Sequence, residues 1–575
     1  MLKLYRFLDK YIGQIAAIVM LIFFQVIANL YLPTISSDII DKGMINKNIG
    51  YIVQKGVLML LISAGGAICS ILASFLSSRT AMSLGKILRS KIFSKVEGFS
   101  LCEFDKIGTA TLITRTTNDV TQIQQVTVML FSITLFAPLT CIGGIIMALR
   151  EDKPLTMIFL VVIPLITVII GSVLVQGVPL FKLMQIKLDK LNLVLREGLT
   201  GIRVIRAFNR NEYEKVRFDI ANKDIMQNAV KVNKIMAVLM PILMLIMNLT
   251  TISVVWFGSM RINSGAMEIG KLLAFIQYAM QILFSFLMVA MMFIMIPRAS
   301  ASAVRINEVL DMEPQIVDLE ETKPANGEKG YVEFRDVSFN YDGAEQPAIS
   351  NITFSAKPGE TTAIIGGTGS GKSTLVNLIP RFYDVNTGSV MIDGVDVREM
   401  SQDNLRSKIG FVPQKNILFS GTIAENIRYG KDDATIEEIK HAAEVAQATD
   451  FISGMEGEFD HYIAQGGTNV SGGQKQRLSI ARALVREPEI YIFDDSFSAL
   501  DFKTDAKLRA ALKKETAAAT VIIIAQRVST VMEADRIIVL DEGTIAGMGT
   551  HKELMDSCKV YSEIVASQLS KEELE

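Results

Sequence analysis

The run GGTGSGKST at residues 366–374 spaces three glycines two or three positions apart and follows them with a lysine and two hydroxyls. Gly366, Gly369 and Gly371 let the backbone curl so that its N–H groups converge on an anion, and a helix opening behind them adds its positive end. Gly366, Gly367, Thr368, Gly369, Ser370, Gly371, Lys372, Ser373 and Thr374 are therefore expected to cradle the phosphates of a nucleotide. Lys372 is expected to reach the β- and γ-phosphates and Ser373 to ligate Mg²⁺. The apolar strand TTAIIG enters this loop and the helical TLVNLIPRFY leaves it, which is the context such a loop requires. ATP and Mg²⁺ are the expected ligands.

The elements that position this loop belong to the second part of the chain. After Pro297 the long apolar runs stop, and residues 307–329, with acidic residues, Pro314, Pro324 and Gly327, read as a helix end and linker. A domain starts near Gly330 with a strand, YVEFRDVSFNY, that ends in Tyr341. Further on stand FVPQ with Gln414, VSGGQ at residues 470–474, and EIYIFDD, in which Asp494 closes an apolar strand. The expected organisation is a multidomain membrane protein. Residues 1–306 form an all-α, six-helix transmembrane domain with long cytoplasmic extensions, residues 307–329 the linker, and residues 330–575 an α/β nucleotide-binding domain.

Half of the 575 residues are hydrophobic, more than a soluble protein usually carries. Apolar stretches at 12–32, 57–76, 128–149, 155–175, 235–257 and 272–296 each approach the ~20 residues that cross a bilayer. The first stretch follows a charged segment and lacks a small-residue cleavage site, so it is read as a retained span. Residues 1–300 hold 30 Lys and Arg against 16 Asp and Glu, which leaves the rest of the chain acidic and makes nucleic acid an improbable partner. The basic residues concentrate in the connections after spans two and four, which places those loops, both termini and the nucleotide-binding domain in the cytoplasm.

Those two connections run about 50 and 60 residues with helical periodicity, so they are expected to extend the spans as hairpins. An arm of about 25 residues reaches ~35–40 Å. Mechanical contacts with the cytosolic domain are expected at their turns, near 100–108 with Phe104 and near 200–211. Inside the spans formal charge is nearly absent, and no proton relay is visible. Gln25, Asn29, Asn248, Gln277 and Gln281 supply neutral polar groups among methionines at 236, 240, 244, 247, 280, 288, 291 and 292, a wall that adapts to varied amphiphiles or simply packs helices and faces membrane lipid. Cys69, Cys102, Cys141 and Cys558 have neither metal-ligand nor disulfide spacing, and the three histidines are dispersed.

LRSKIGFVPQKNILFSGTIAENIRYG, VSGGQKQRLSIARAL and SALD, in this order behind the phosphate loop, resemble the ATP-binding cassette family. Six spans followed by one such cassette resemble its exporter half-transporters over essentially the whole chain. The resemblance implies that Tyr341 stacks on adenine, that Gln414 senses Mg²⁺ and the γ-phosphate, and that Asp494 holds the metal through water. It also implies that Ser471, Gly472, Gly473 and Gln474 cap the nucleotide held by the opposite subunit, with Asp501 across the interface.

Two positions depart from the family. SALD aligns Asp495 with the glutamate that deprotonates the attacking water, and IIIAQRVST aligns Gln526 with a histidine that contacts the γ-phosphate. Losing one methylene withdraws the carboxylate by ~1–1.5 Å, a misplacement worth about 10²-fold in rate. Glutamine donates a hydrogen bond but cannot become cationic. The combination resembles the degenerate half of heterodimeric bacterial multidrug exporters. It implies a slow site on this chain's loop, a second half-transporter as partner, an amphiphilic small-molecule substrate and a bacterial cytoplasmic membrane. A lipid or lipid-linked flippase, a homodimeric exporter in which Asp495 still serves as base, and a non-transporting regulatory subunit are the alternatives.

Overall fold

A computed structural model describes residues 1–319, 321–323 and 327–568. The chain divides into two compact units, Met1–Glu97 with Ala110–Met312, and Gly98–Thr109 with Glu313–Glu575.

The first unit is all helix. Its long helices are α1 (Ile12–Asp38), α2 (Ile49–Glu97) and, beyond the short α3 (Leu101–Ile107) that clusters with the second unit, α4 (Val120–Glu151), α5 (Ile158–Thr200), α6 (Asn211–Asn263) and α7 (Ile269–Asp311). Six helices of the described residues are long and apolar enough to cross a membrane. At 1.5 Å per residue α2 spans ~74 Å, far beyond the ~30 Å hydrocarbon core, so the connections after spans two and four are helical extensions as their periodicity requires. The last of these helices ends at Asp311, inside the segment read from the sequence as a helix end and linker.

Pro33, Pro138, Pro164, Pro179 and Pro241 lie within these helices, where neighbouring helices tolerate the lost hydrogen bond. Small residues let the helices approach: a β-carbon on Gly144 would sit 2.8 Å from Ile282, and one on Gly66 3.1 Å from Ala28. Leu60, Leu160 and Val161 are 70–73 % exposed, an outward apolar surface suited to lipid. Toward its basic end the unit is tied by a buried carboxylate. Asp119, which closes a π turn at Arg115–Asp119, accepts hydrogen bonds from Ser302 (2.9 Å) and from Arg305 Nε (2.8 Å). Beside it Arg115 donates to the Arg305 carbonyl at 2.9 Å and pairs with Glu308.

The second unit is built on two sheets. An antiparallel sheet has the order β2-β1-β4-β5, with β1 at Val332–Phe339, β2 at Ile349–Ala356, β4 at Thr387–Ile392 and β5 at Val395–Asp396. The six-stranded sheet runs β12-β11-β3-β10-β9-β6. Its strands are β3 (Thr361–Gly366), β6 (Ile409–Val412), β9 (Ile490–Asp494), β10 (Thr520–Ile524), β11 (Arg536–Asp541) and β12 (Thr544–Gly549), and only β12 pairs antiparallel. Every residue of β9 and β10 is buried, which explains their uninterrupted apolar runs: a parallel strand covered on both faces has no solvent side.

The α3 segment is held within this unit. Glu103 closes a capping box with Ser100 and also accepts from the Gln315 backbone N–H at 3.1 Å. Tyr383 Oη donates to the Asp105 carboxylate at 3.1 Å. Burial and the neighbouring Asp105 charge push the Tyr383 hydroxyl pKa up. Phe104 meets Phe99 edge-on with centroids 6.4 Å apart. The second basic turn, around the short helix Ile202–Ala207, belongs to the first unit and leaves Phe208 75 % exposed. The four cysteines are free thiols.

Candidate functional site

Ligand sites in parallel sheets form where the strands end, because loops there bring side chains from several strands to one edge. β3 delivers the glycine loop, β6 leads into Gln414, β9 ends at Asp494, and Gln526 follows β10 by two residues. A cavity of about 610 Å³ gathers Tyr341, Gly366, Gly367, Thr368, Gly369, Gly371, Lys372, Ser373, Thr374, Gln414, Asp494, Asp495 and Gln526. Ser370 sits within the loop, buried, and its hydroxyl lies 3.4 Å from the Lys372 ammonium.

The loop's geometry needs its glycines at two points. Gly371 caps the helix α8 (Lys372–Leu378) at φ +90°, a left-handed conformation, and a β-carbon there would stand 2.6 Å from the Ala348 carbonyl oxygen. At Gly366 a β-carbon would collide with the Leu540 carbonyl. Lys372 donates to the carbonyls of Gly366 (3.0 Å) and Gly367 (2.6 Å), and burial pulls its pKa down against the opposing pull of Asp494 and Asp495. A desolvated ammonium flanked by inward N–H groups is suited to polyphosphate.

Ser373 Oγ donates to Asp494 Oδ1 at 3.2 Å. Hydroxyl, carboxylate and the Gln414 amide oxygen are the hard donors that Mg²⁺ takes alongside water and phosphate, so these residues fit the ion. Burial raises the pKa of Asp494, as does the charge on Asp495. Asp495 has φ +48° and donates its backbone N–H to the Ile524 carbonyl at 3.0 Å. Its carboxylate accepts from Gln526 Nε2 at 2.9 Å. Burial lifts its pKa as well, against the lowering effect of Gln414, Arg527 and Lys372. Tyr341 lines the cavity, places its hydroxyl 3.0 Å from Thr374 Oγ1 and meets Phe339 and Tyr383 edge-on.

Ser471, Gly472, Gly473, Gln474 and Asp501 are not among the residues that line this cavity. Ser471 caps the helix α9 (Gly472–Leu484) in a box with Gln474, whose Oε1 accepts from the Ser471 N–H at 2.8 Å. Asp501 caps α10 (Phe502–Glu515) and accepts from the Thr504 N–H at 3.0 Å.

Sequence reasoning missed the far wall. Ile564, Ser567 and Gln568, from α11 (Lys559–Gln568), line the cavity too. Gln568 holds the backbone around Gln526: its Nε2 donates to the Gln526 carbonyl and its Oε1 accepts from the Val528 N–H, both at 2.8 Å. No spacing marks a lone glutamine that acts through backbone groups forty residues away.

A site in which a glycine loop, a strand-end carboxylate and a glutamine converge beside a separate serine-glycine helix cap has counterparts in known proteins. The family model for the ABC transporter transmembrane region matches residues 15–286, and that for the ABC transporter cassette matches residues 349–498. An uncharacterized ABC transporter ATP-binding protein of Mycobacterium tuberculosis is 43 % identical over 560 residues, 96 % of each chain. The chain belongs to the ABC transporter family. A relative from Bacillus subtilis, also described as an uncharacterized ABC transporter ATP-binding protein, is 39 % identical over 574 residues, 100 % of this chain and 99 % of that one. The ATP-dependent lipid A-core flippase of Vibrio vulnificus is 29 % identical over 563 residues, 98 % of this chain and 96 % of that one. A solved bacterial Atm1-family ABC exporter with ATP bound superposes with a TM-score of 0.81 at 24 % identity, covering 97 % of this chain and 98 % of that one, and so shares the fold. This ABC transporter is thus a multi-pass membrane protein whose ATPase cassette takes ATP with Mg²⁺. With one membrane region and one cassette it is a half-transporter, and half-transporters work as dimers.

The membrane unit of this transporter carries two adjoining cavities. One, about 710 Å³, is lined by Asn29, Gln277 and Gln281 together with Met247, Met280 and Met288 among others. The second, about 280 Å³, contains Gln25 and shares Phe136 and Met288 with the first. Asn248 is exposed and lines neither, as do Met240 and Met244, while the side chains of Met236, Met291 and Met292 lie outside the described residues.

Proposed function

We propose that this chain is the slow-site half of a heterodimeric exporter that moves amphiphilic small molecules across a bacterial cytoplasmic membrane, with its cassette and both termini on the cytoplasmic side. The observation that supports this reading above the others is the pair at Asp495 and Gln526. The carboxylate at the general-base position is short by a methylene and engaged by a neutral amide at 2.9 Å. A base must reach the proton it takes, and this one is held by Gln526.

In this reading Tyr341 stacks on adenine and the N–H groups of residues 366–373 bind the phosphates. Lys372 leaves the Gly366 and Gly367 carbonyls to neutralise the β- and γ-phosphates. Ser373, Asp494 and Gln414 would hold Mg²⁺, which would offset the charge of the phosphates. Ser471, Gly472, Gly473 and Gln474, with Asp501, are free in this cassette to complete the partner's site, where a glutamate and a histidine stand at the two altered positions. Closure of the paired cassettes turns the membrane halves outward, and hydrolysis in the partner's site reopens them. The ranking of two variants in the assembled pair tests this: Ser471→Ala is expected to stop transport and Asp495→Asn to leave it nearly unchanged. The opposite ranking overturns the assignment.

A lipid cargo is the second reading, supported by the likeness to lipid A-core flippases. It predicts stimulation of ATPase activity by lipid headgroup analogues rather than by apolar cations.

A further inference from the structure

Buried polar atoms without partners are scarce in folded proteins, and inside a membrane domain each one left unsatisfied is costly. Among the described residues of the first unit such side-chain atoms are Arg115 Nε and Asn307 Oδ1 toward its basic end and, away from that end, three more: Ser77 Oγ, Thr140 Oγ1 and Gln281 Oε1. All three belong to residues that line the two adjoining cavities. Thr140 is 4 % exposed and Ser77 fully buried, so lipid and bulk water do not satisfy them.

The two chambers differ in chemistry. In the larger, methionine and phenylalanine surround a few amides and hydroxyls. The smaller one sets four serines, Ser70, Ser74, Ser77 and Ser132, and Gln25 among apolar side chains. Among the described residues no Asp, Glu, Lys or Arg lines either chamber. Helix direction orders them across the bilayer. α1 runs outward, so Gln25 lies nearer the cytoplasm than Asn29; α2 runs inward, so the serines from residue 70 onward lie nearer the cytoplasm than Met59. The serine chamber therefore lies on the inner-leaflet side and the methionine chamber beyond it, with Phe136 and Met288 lining both.

We propose that the two chambers form one site for an uncharged amphiphile, its hydroxyl-bearing head among the serines and its apolar part against the methionines. This deepens the export reading and rests on it. A charged head would lose its hydration here without finding a counter-ion, whereas hydroxyls supply the donors and acceptors that Ser77, Thr140 and Gln281 lack.

The test uses the full chain, dimeric, in lipid nanodiscs without nucleotide, and three photoreactive probes with the same alkyl chain: an alkyl glucoside, an alkyl phosphate and an alkyl trimethylammonium. Labelling is mapped by mass spectrometry and normalised to the lipid-facing Leu160, which corrects for partition into lipid. Glucoside labelling of Met59, Phe136 and Met288 is expected to saturate, to be displaced by unlabelled dodecyl glucoside, and to exceed that of both charged probes by about tenfold. The double variant Ser77→Ala, Thr140→Val is expected to lower it by a similar factor with the dimer intact on size exclusion. Equal cavity labelling by a charged probe overturns the proposal, as does labelling that the variant leaves unchanged. A variant that instead breaks the dimer assigns the chambers to subunit packing and also overturns it. Because no ATP is present, the slow-site reading is judged separately by the ATPase measurements.

Discussion

At the scale of single residues the proposed function sets an intact binding apparatus beside an impaired chemical one. Lys372 rests on the Gly366 and Gly367 carbonyls and Ser373 on Asp494, whereas Asp495 and Gln526 engage each other. Restoring both side chains, Asp495→Glu with Gln526→His, is expected to raise the rate of ATP cleavage on this chain's own loop by at least roughly 10²-fold, measured in the pair with the partner's site disabled. Gln568→Ala removes two hydrogen bonds from the backbone around Gln526 and is expected to weaken nucleotide affinity by a few fold, read by equilibrium binding of a fluorescent ATP analogue. The chemistry of the loop was legible because its spacing is dictated by backbone geometry. Gln568 was not, since its action passes through main-chain groups that any sequence supplies.

At the scale of elements, helix length and strand burial follow from composition. Continuous apolar runs become membrane helices when they exceed twenty residues and buried parallel strands when they stop at five, as in β9 and β10. What composition does not carry is which helix end is tied to which. The Asp119 cluster joins a π turn to α7 across more than 180 positions, and nothing in the spacing of Asp119, Ser302 and Arg305 announces it. Asp119→Ala leaves Arg305 without its buried partner while solvent still reaches the guanidinium, so the expected loss is about 1–3 kcal/mol, seen as a lower thermal unfolding midpoint. In the cassette unit, Tyr383→Phe removes the hydroxyl that holds Asp105, and amide exchange across residues 98–109 is expected to quicken by up to about tenfold. Unchanged exchange would show that the Glu103 capping box alone retains α3.

At the scale of the whole molecule, two compact units were foreseen from the point where apolar runs give way to alternating strands and loops. Residues 98–109 group with the cassette unit, where Asp105 and Glu103 accept hydrogen bonds from Tyr383 and the Gln315 backbone. The central claim is that a half-transporter of this sequence holds ATP without promptly cleaving it. A rapid-quench measurement on the purified chain, loaded with radiolabelled ATP and Mg²⁺ and sampled over minutes, tests that most directly. Bound nucleotide is expected to remain triphosphate at least roughly 10²-fold longer than the ~0.1 s turnover time of a median enzyme. Conversion to diphosphate on that shorter timescale, by this chain alone, would contradict the account.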